Sequence, residues 1–286
     1  MDGLYTRISK STKYVLYQYM KDYEISLLNY NFNSFFKYCI QKYNIQVISH
    51  HFSNHKIEGL TIIDELGISF SYEKDNPIVK QNFTLCHELG HFILEHEGNY
   101  FAESIDNQEN LLEREANIFS AVVLMPDIVL LSKIYYSCDT FQHIQNRLNV
   151  SKQALFFRLL DFLREYYPDK EGSIKQAIEA YMDGQNAPLL LLFHGIKEQI
   201  IKEFNTYQAS LINKIERSVI KKSFVTSQEY PELLDQENWK AIKTYCDNLR
   251  VWLIYDRGKS IAYVWDKNKL TDEEAKQKAE LKLLLM

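Results

Sequence analysis

The chain has 286 residues, 46% apolar and 25% charged, which excludes a wholly disordered polypeptide and gives length for about two domains. Its net charge is −5: residues 1–170 hold 16 Lys and Arg against 21 Asp and Glu, and residues 171–286 hold 17 basic and 17 acidic side chains. Neither half has the basic excess that phosphate neutralisation needs, so nucleic acid is not an expected partner.

Nine Gly and five Pro point to a helix-rich fold with short loops, and the elements that follow read as α+β. In chain order, the Tyr- and Phe-rich first forty residues have helical spacing and predict two helices. Three β-rich runs follow, Ile45–Phe52, Leu60–Asp64 and Ile68–Tyr72. The last two form a hairpin across Asp64-Glu65-Leu66-Gly67, in a small antiparallel sheet. Asn76 as N-cap and Pro77 in the first turn open a helix over 77–97, with Gly98 as its stop. A second helix covers 108–125 and ends at Pro126, and a helical hairpin fills 127–167. Residues 141–160 resemble a helix-turn-helix, but Lys152, Gln153 and Phe157 make a poor phosphate-reading surface, so the segment is expected to be structural.

The composition changes at Tyr167-Pro168-Asp169-Lys170-Glu171-Gly172, which sets the expected division: domain 1–170 and a mixed α/β accessory domain 171–286. In the latter, helices over about 173–222 precede a hairpin of Arg250–Tyr255 and Ile261–Trp265, and Thr271 to Glu274 is a capping box opening a terminal helix. Trp239, Trp252 and Trp265 are candidates for a substrate- or signal-reading surface.

One constellation carries chemistry. His87-Glu88-Leu89-Gly90-His91 lies inside the 77–97 helix, where positions i and i+4 share a face, so both imidazoles can meet one metal ion. Two imidazoles suit Zn2+ better than magnesium or calcium. Glu88, about 100° round the helix, can reach a water rather than the metal, the position of a catalytic base. A third His six residues after His91 is absent, since position 97 is Glu. A glutamate from the next helix is the alternative, and Leu112-Glu113-Arg114-Glu115-Ala116-Asn117 offers two.

Three ordered motifs then resemble the ImmA/IrrE-type metallopeptidases: Phe83 through His91, Glu113 through Ser120, and Leu124-Met125-Pro126. The resemblance covers about residues 45–165. It implies a helix-rich, zincin-like catalytic domain and a zinc endopeptidase of the gluzincin type. In that reading His87, His91 and Glu113 are ligands and Glu88 is the general base. It also implies a specific cytoplasmic protein as substrate, with a helix-turn-helix repressor of a mobile element or stress response as leading candidate. The protease would then act as an anti-repressor. The alternative is a non-proteolytic regulator that uses the same fold to bind protein or DNA.

Helix geometry separates the two glutamates, which lie about 200° apart and cannot both face one ion. Glu113 shares its face with Ala116, Asn117 and Ser120, and Asn117 can orient a ligating His from behind. Glu115 points elsewhere and needs a cationic or backbone partner. His96 and Tyr100, just beyond the motif, are candidates to stabilise an oxyanion. His50, His51 and His55 read as solvent-facing, and Cys86 as buried packing. The four cysteines have no CxxC spacing and fit a reducing cytoplasm. No apolar run approaches the ~18 residues of a bilayer span, and the first twenty residues hold no signal-like stretch, so a membrane is not an expected partner.

Overall fold

The computed structural model describes residues 3–52, 57–98, 100–104 and 110–286, so Met1, Gln108 and His55 lie outside the described residues. The chain forms two compact units, Met1–Tyr207 and Gln208–Met286.

The first unit opens with α1 (Gly3–Asp22) and α2 (Phe32–Tyr43), the two helices expected from the aromatic spacing. Ile8, Leu16, Tyr17 and Met20 fall on one face of α1 and are buried. Asn44, in the left-handed region at φ 51°, turns the chain out of α2 into β1 (Ile45–His50). The expected hairpin is β2 (Ile57–Asp64) and β3 (Gly67–Glu73). A fourth strand, β4 (Tyr100–Ser104), went unpredicted and pairs antiparallel with β2.

The strand order is β1-β3-β2-β4, and β1 runs parallel to β3. The sheet is therefore mixed rather than antiparallel. The cause is topological: β1 skips its sequence neighbour to pair with the far strand of the hairpin, which runs in its own direction.

Against this sheet packs α3 (Ile78–Ile93), which is crossed by α4 (Leu111–Leu124). The start of α3 is one residue later than expected. Pro77 has extended ψ 147° and its carbonyl accepts from Lys80 and Gln81, so Pro77 itself is the N-cap. Its end comes earlier than Gly98, for a reason that matters at the site below.

Residues 127–167 hold three helical pieces rather than a two-helix hairpin. These are α5 (Asp127–Leu130), which continues as a π-helical turn over Leu131–Tyr136, then α6 (Phe141–Leu148) and α7 (Lys152–Tyr166). Left-handed Cys138 and Asn149, both at φ 52°, make the breaks, and Ser151 caps α7 through the Ala154 N–H. Among the described residues, one helical stretch, Leu111–Tyr136, is long and apolar enough to cross a membrane, and 78% of its apolar window is buried inside the fold. It is the central core of this unit.

The expected boundary at 168–172 is a tight turn between helices. α8 (Glu171–Met182) and α9 (Ala187–Thr206) bury Ile174, Ile178, Phe193 and Ile200 in the same core as Phe119, Val123 and Phe162. The rings of Phe162 and Phe193 lie 5.7 Å apart, and Tyr17 meets Phe204 at 5.0 Å. Burial of this apolar face, not the Pro and Gly content of the turn, decides where the unit ends.

An ionic network ties the same core together. Asp127, fully buried, accepts from Lys13 at 3.1 Å and from the Arg158 guanidinium, while Lys13 also reaches Glu203 at 2.8 Å. Although burial alone would raise the Asp127 carboxyl, Lys13 and Arg158 hold it below its ordinary range. Removing one partner of such a network costs about 3–5 kcal/mol, because the other charge stays buried and uncompensated.

The second unit contains α10 (Leu211–Lys222), β5 (Phe224–Thr226), α11 (Glu237–Tyr245), β6 (Leu249–Asp256), β7 (Lys259–Asp266) and α12 (Asp272–Leu284). Its sheet is antiparallel in the order β5-β7-β6. Alternation along β7 sends Ala262 and Val264 to a core with Ile215, Val219 and Ile242. Ile261, Tyr263 and Trp265 face Ala275, Ala279 and Leu283 of α12, which starts at the expected Thr271–Glu274 capping box. Of the three tryptophans, Trp265 is buried, Trp239 is half-buried and donates to the Leu233 carbonyl, and Trp252 is exposed. The whole chain is α+β, as expected.

Candidate metal centre

The helical phase of α3 places His87 and His91 one above the other, their Nε2 atoms 3.0 Å apart. From α4, Glu113 brings Oε2 to 3.0 Å from His87 Nε2 and Oε1 to 3.6 Å from His91 Nε2. One donor atom from each of the three residues lies within 4.8 Å of the other two. Both imidazoles are 1% exposed, so neither is a surface histidine.

The approach of the two helices that this requires depends on small residues. A Cβ on Gly90 would stand 3.2 Å from the Ala116 Cα and 3.1 Å from the Phe119 ring. Behind the pair, Asn117 Oδ1 lies 3.0 Å from His87 Nδ1. An amide oxygen only accepts, so His87 carries a proton on Nδ1, and the neutral ring presents its lone pair at Nε2.

Burial pushes the His91 imidazole down to about 3. His91 is therefore neutral near pH 7, with a lone pair to give. With both Nε2 atoms unprotonated, the two imidazoles and the Glu113 carboxylate face one another within 3.0–3.6 Å, an arrangement that a cation among them would neutralise. The donor set fits a divalent metal ion.

Glu88, the residue after His87 in α3, is fully buried, and the Thr61 hydroxyl of β2 donates to its Oε2 at 2.5 Å. Gly59, two residues earlier on the same strand face, leaves the space for the carboxylate. A Cβ there would overlap Glu88 Oε1. Sequence reasoning did not single out Thr61 or Gly59; the one available signal was their i, i+2 spacing on a strand next to the metal helix.

The remaining candidates are placed elsewhere. His96 lies behind His91 with both ring nitrogens engaged, one by His91 and one by Glu115. It faces no open space from which to meet an oxyanion. Tyr100, on β4, is exposed. Glu115 finds the cationic partner it needs in Arg7 of α1. Cys86 is buried, and burial pushes its thiol well above the usual range, which leaves it inert packing. His51 approaches Asp75 at 2.8 Å and Glu73 at 3.5 Å on the surface, but Glu73 is taken up by the backbone N–H groups of Phe52 and Asp75.

A cleft of about 970 Å³ opens onto His87 and Glu113. Its apolar wall includes Phe83 and Leu124, and also Ala154 and Phe157 of α7. The helix-turn-helix segment thus serves as a wall of the cleft. Lys80 and Glu58, ion-paired to each other, stand at the same cleft.

No curated protein matches the chain. Residues 40–160 match the model of the Peptidase_M78 family, described as the IrrE N-terminal-like domain. That segment runs from the end of α2 into α7 and contains the triad, Glu88, Thr61 and the cleft wall, while α1, α8 and α9 lie outside it. Over residues 40–160, the chain is thus similar to the IrrE N-terminal-like domain of the Peptidase_M78 family.

Proposed function

We propose that this domain is a zinc-dependent endopeptidase that cuts one or a few specific proteins, with a helix-turn-helix transcriptional repressor as leading substrate. One observation carries the reading: donor atoms of His87, His91 and Glu113 lie within 4.8 Å of one another, while Glu88, the residue after His87 on the same helix, is buried and anchored by Thr61. Two imidazoles and one carboxylate favour zinc, and three protein ligands leave a position for substrate or water.

A zinc ion in that position supplies Lewis acidity for the scissile carbonyl and for water. Everything else belongs to the chain. His87 and His91 present neutral Nε2 lone pairs, and Glu113 adds the negative charge. Glu88, anchored at Oε2 by Thr61, takes a proton from the attacking water and delivers it to the leaving amine. The apolar cleft wall from Phe83 to Phe157 receives an extended stretch of substrate and keeps bulk water from its side chains.

The test is to incubate the zinc-loaded chain with a candidate helix-turn-helix repressor from the same genome, and to weigh the products by intact mass spectrometry. A single cut that a zinc chelator abolishes is expected. An uncut repressor, together with no cleavage in a diverse peptide library, contradicts the reading.

A further inference from the structure

The geometry points to a hydrogen-bond chain, Arg7–Glu115–His96, that holds His91 in the one tautomer able to bind a metal. The inference rests on the metal-site reading above. It makes His96 and Glu115 positioning residues, and it extends the site to α1, outside the segment that matches the family.

The chain can be read from its far end. Arg7 Nη2 donates to Glu115 Oε1, and the other oxygen, Oε2, lies 3.0 Å from His96 Nε2. A carboxylate paired with a guanidinium only accepts, so His96 donates to it from Nε2, and Nδ1 is the nitrogen left to accept. His96 Nδ1 is 2.8 Å from His91 Nδ1. On this side, away from the metal position, the two ring nitrogens share one N–H, and with His96 donating from Nε2 it is that of His91. The lone pair of His91 is thereby left on Nε2, the atom that faces His87 and Glu113.

Backbone geometry builds this arrangement. α3 closes with Glu95 in the left-handed region at φ 55°, the His96 N–H bonding to the His91 carbonyl at 3.1 Å and the Glu95 N–H to Phe92 at 3.2 Å. That is a Schellman closure, and it folds His96 back onto His91. With its side chain 3% exposed, His96 has no water to substitute for either partner.

The two ligands are thus oriented by different devices. His87 uses a single acceptor, Asn117, whereas His91 uses a relay that ends in an ion pair. The glutamates also divide the work: Glu113 faces the metal position, and Glu115, two residues on, serves it through His96.

The test titrates zinc against a chromogenic chelator into wild-type, His96→Leu and His96→Asn chains, with unfolding midpoints measured alongside. Asn can put its Oδ1 where His96 has Nδ1 and accept the His91 N–H, as Asn117 does for His87; Leu fills the space but accepts nothing. The expected result is about 10–100-fold weaker zinc binding in His96→Leu and recovery to within a few-fold in His96→Asn. The visible bands of the Co2+-loaded chains should shift in the first and persist in the second. A packing role for His96 predicts the reverse order, with Leu the better substitute, and that order overturns the relay. Should His96→Leu fail to fold, Glu115→Ala reads the same chain one step back, with a loss of about tenfold expected. Unchanged affinity there also overturns it. A wild-type chain that binds no zinc at all rejects the metal site itself, which separates the two failures.

Discussion

Glu88→Gln is expected to keep its zinc and to cut its substrate about 10²–10⁴-fold more slowly, the range a positioned acid–base group contributes. The amide fits the same buried space and can still accept from Thr61, so the triad is undisturbed. It cannot take a proton from water. Metal content and single-turnover cleavage of the repressor, measured on the same preparation, separate the two effects. A variant that cuts at the wild-type rate removes Glu88 from the mechanism. Lost metal in Glu88→Gln contradicts its placement beside, rather than on, the ion.

The second large effect is expected at Glu113. Glu113→Ala takes away the only carboxylate in the triad and leaves two neutral imidazoles, so zinc affinity falls by orders of magnitude. Glu115→Ala removes a group that acts through His96, and its effect on zinc is confined to the smaller range of outer partners. The order follows from α4: the residues are about 200° apart, and the face of Glu113 is the one that Ala116 brings against Gly90. Competitive zinc titration of the two variants checks it. Metal loss greater in Glu115→Ala than in Glu113→Ala contradicts the facing of the helix.

What could be read in advance was local. The i, i+4 histidines, the capping box at Thr271 and the β2–β3 hairpin each sit within a few residues, where periodicity and turn chemistry decide the outcome. Non-local pairings escaped. Nothing near Ile45 says that β1 aligns with Ile68–Glu73 rather than with its neighbour, and β4 is a short edge strand whose pairing depends on β2.

The unit boundary was misplaced because Pro168 and Gly172 mark a turn, while the faces of α8 and α9 that bind them to the first core are spread over some thirty residues. The role of His96 was hidden for a sharper reason. Gly98 is the obvious left-handed stop, yet the chain turns at Glu95, and that choice sends His96 behind the site instead of out to solvent. Gly59 was silent because its function is an absence, the missing Cβ beside Glu88.

The central claim is that the chain holds a metal ion between α3 and α4, and the most direct measurement is elemental analysis of protein purified without chelators. One zinc per chain is expected in the wild type. A wild-type chain with no bound metal that also takes up none on dialysis against zinc would contradict it.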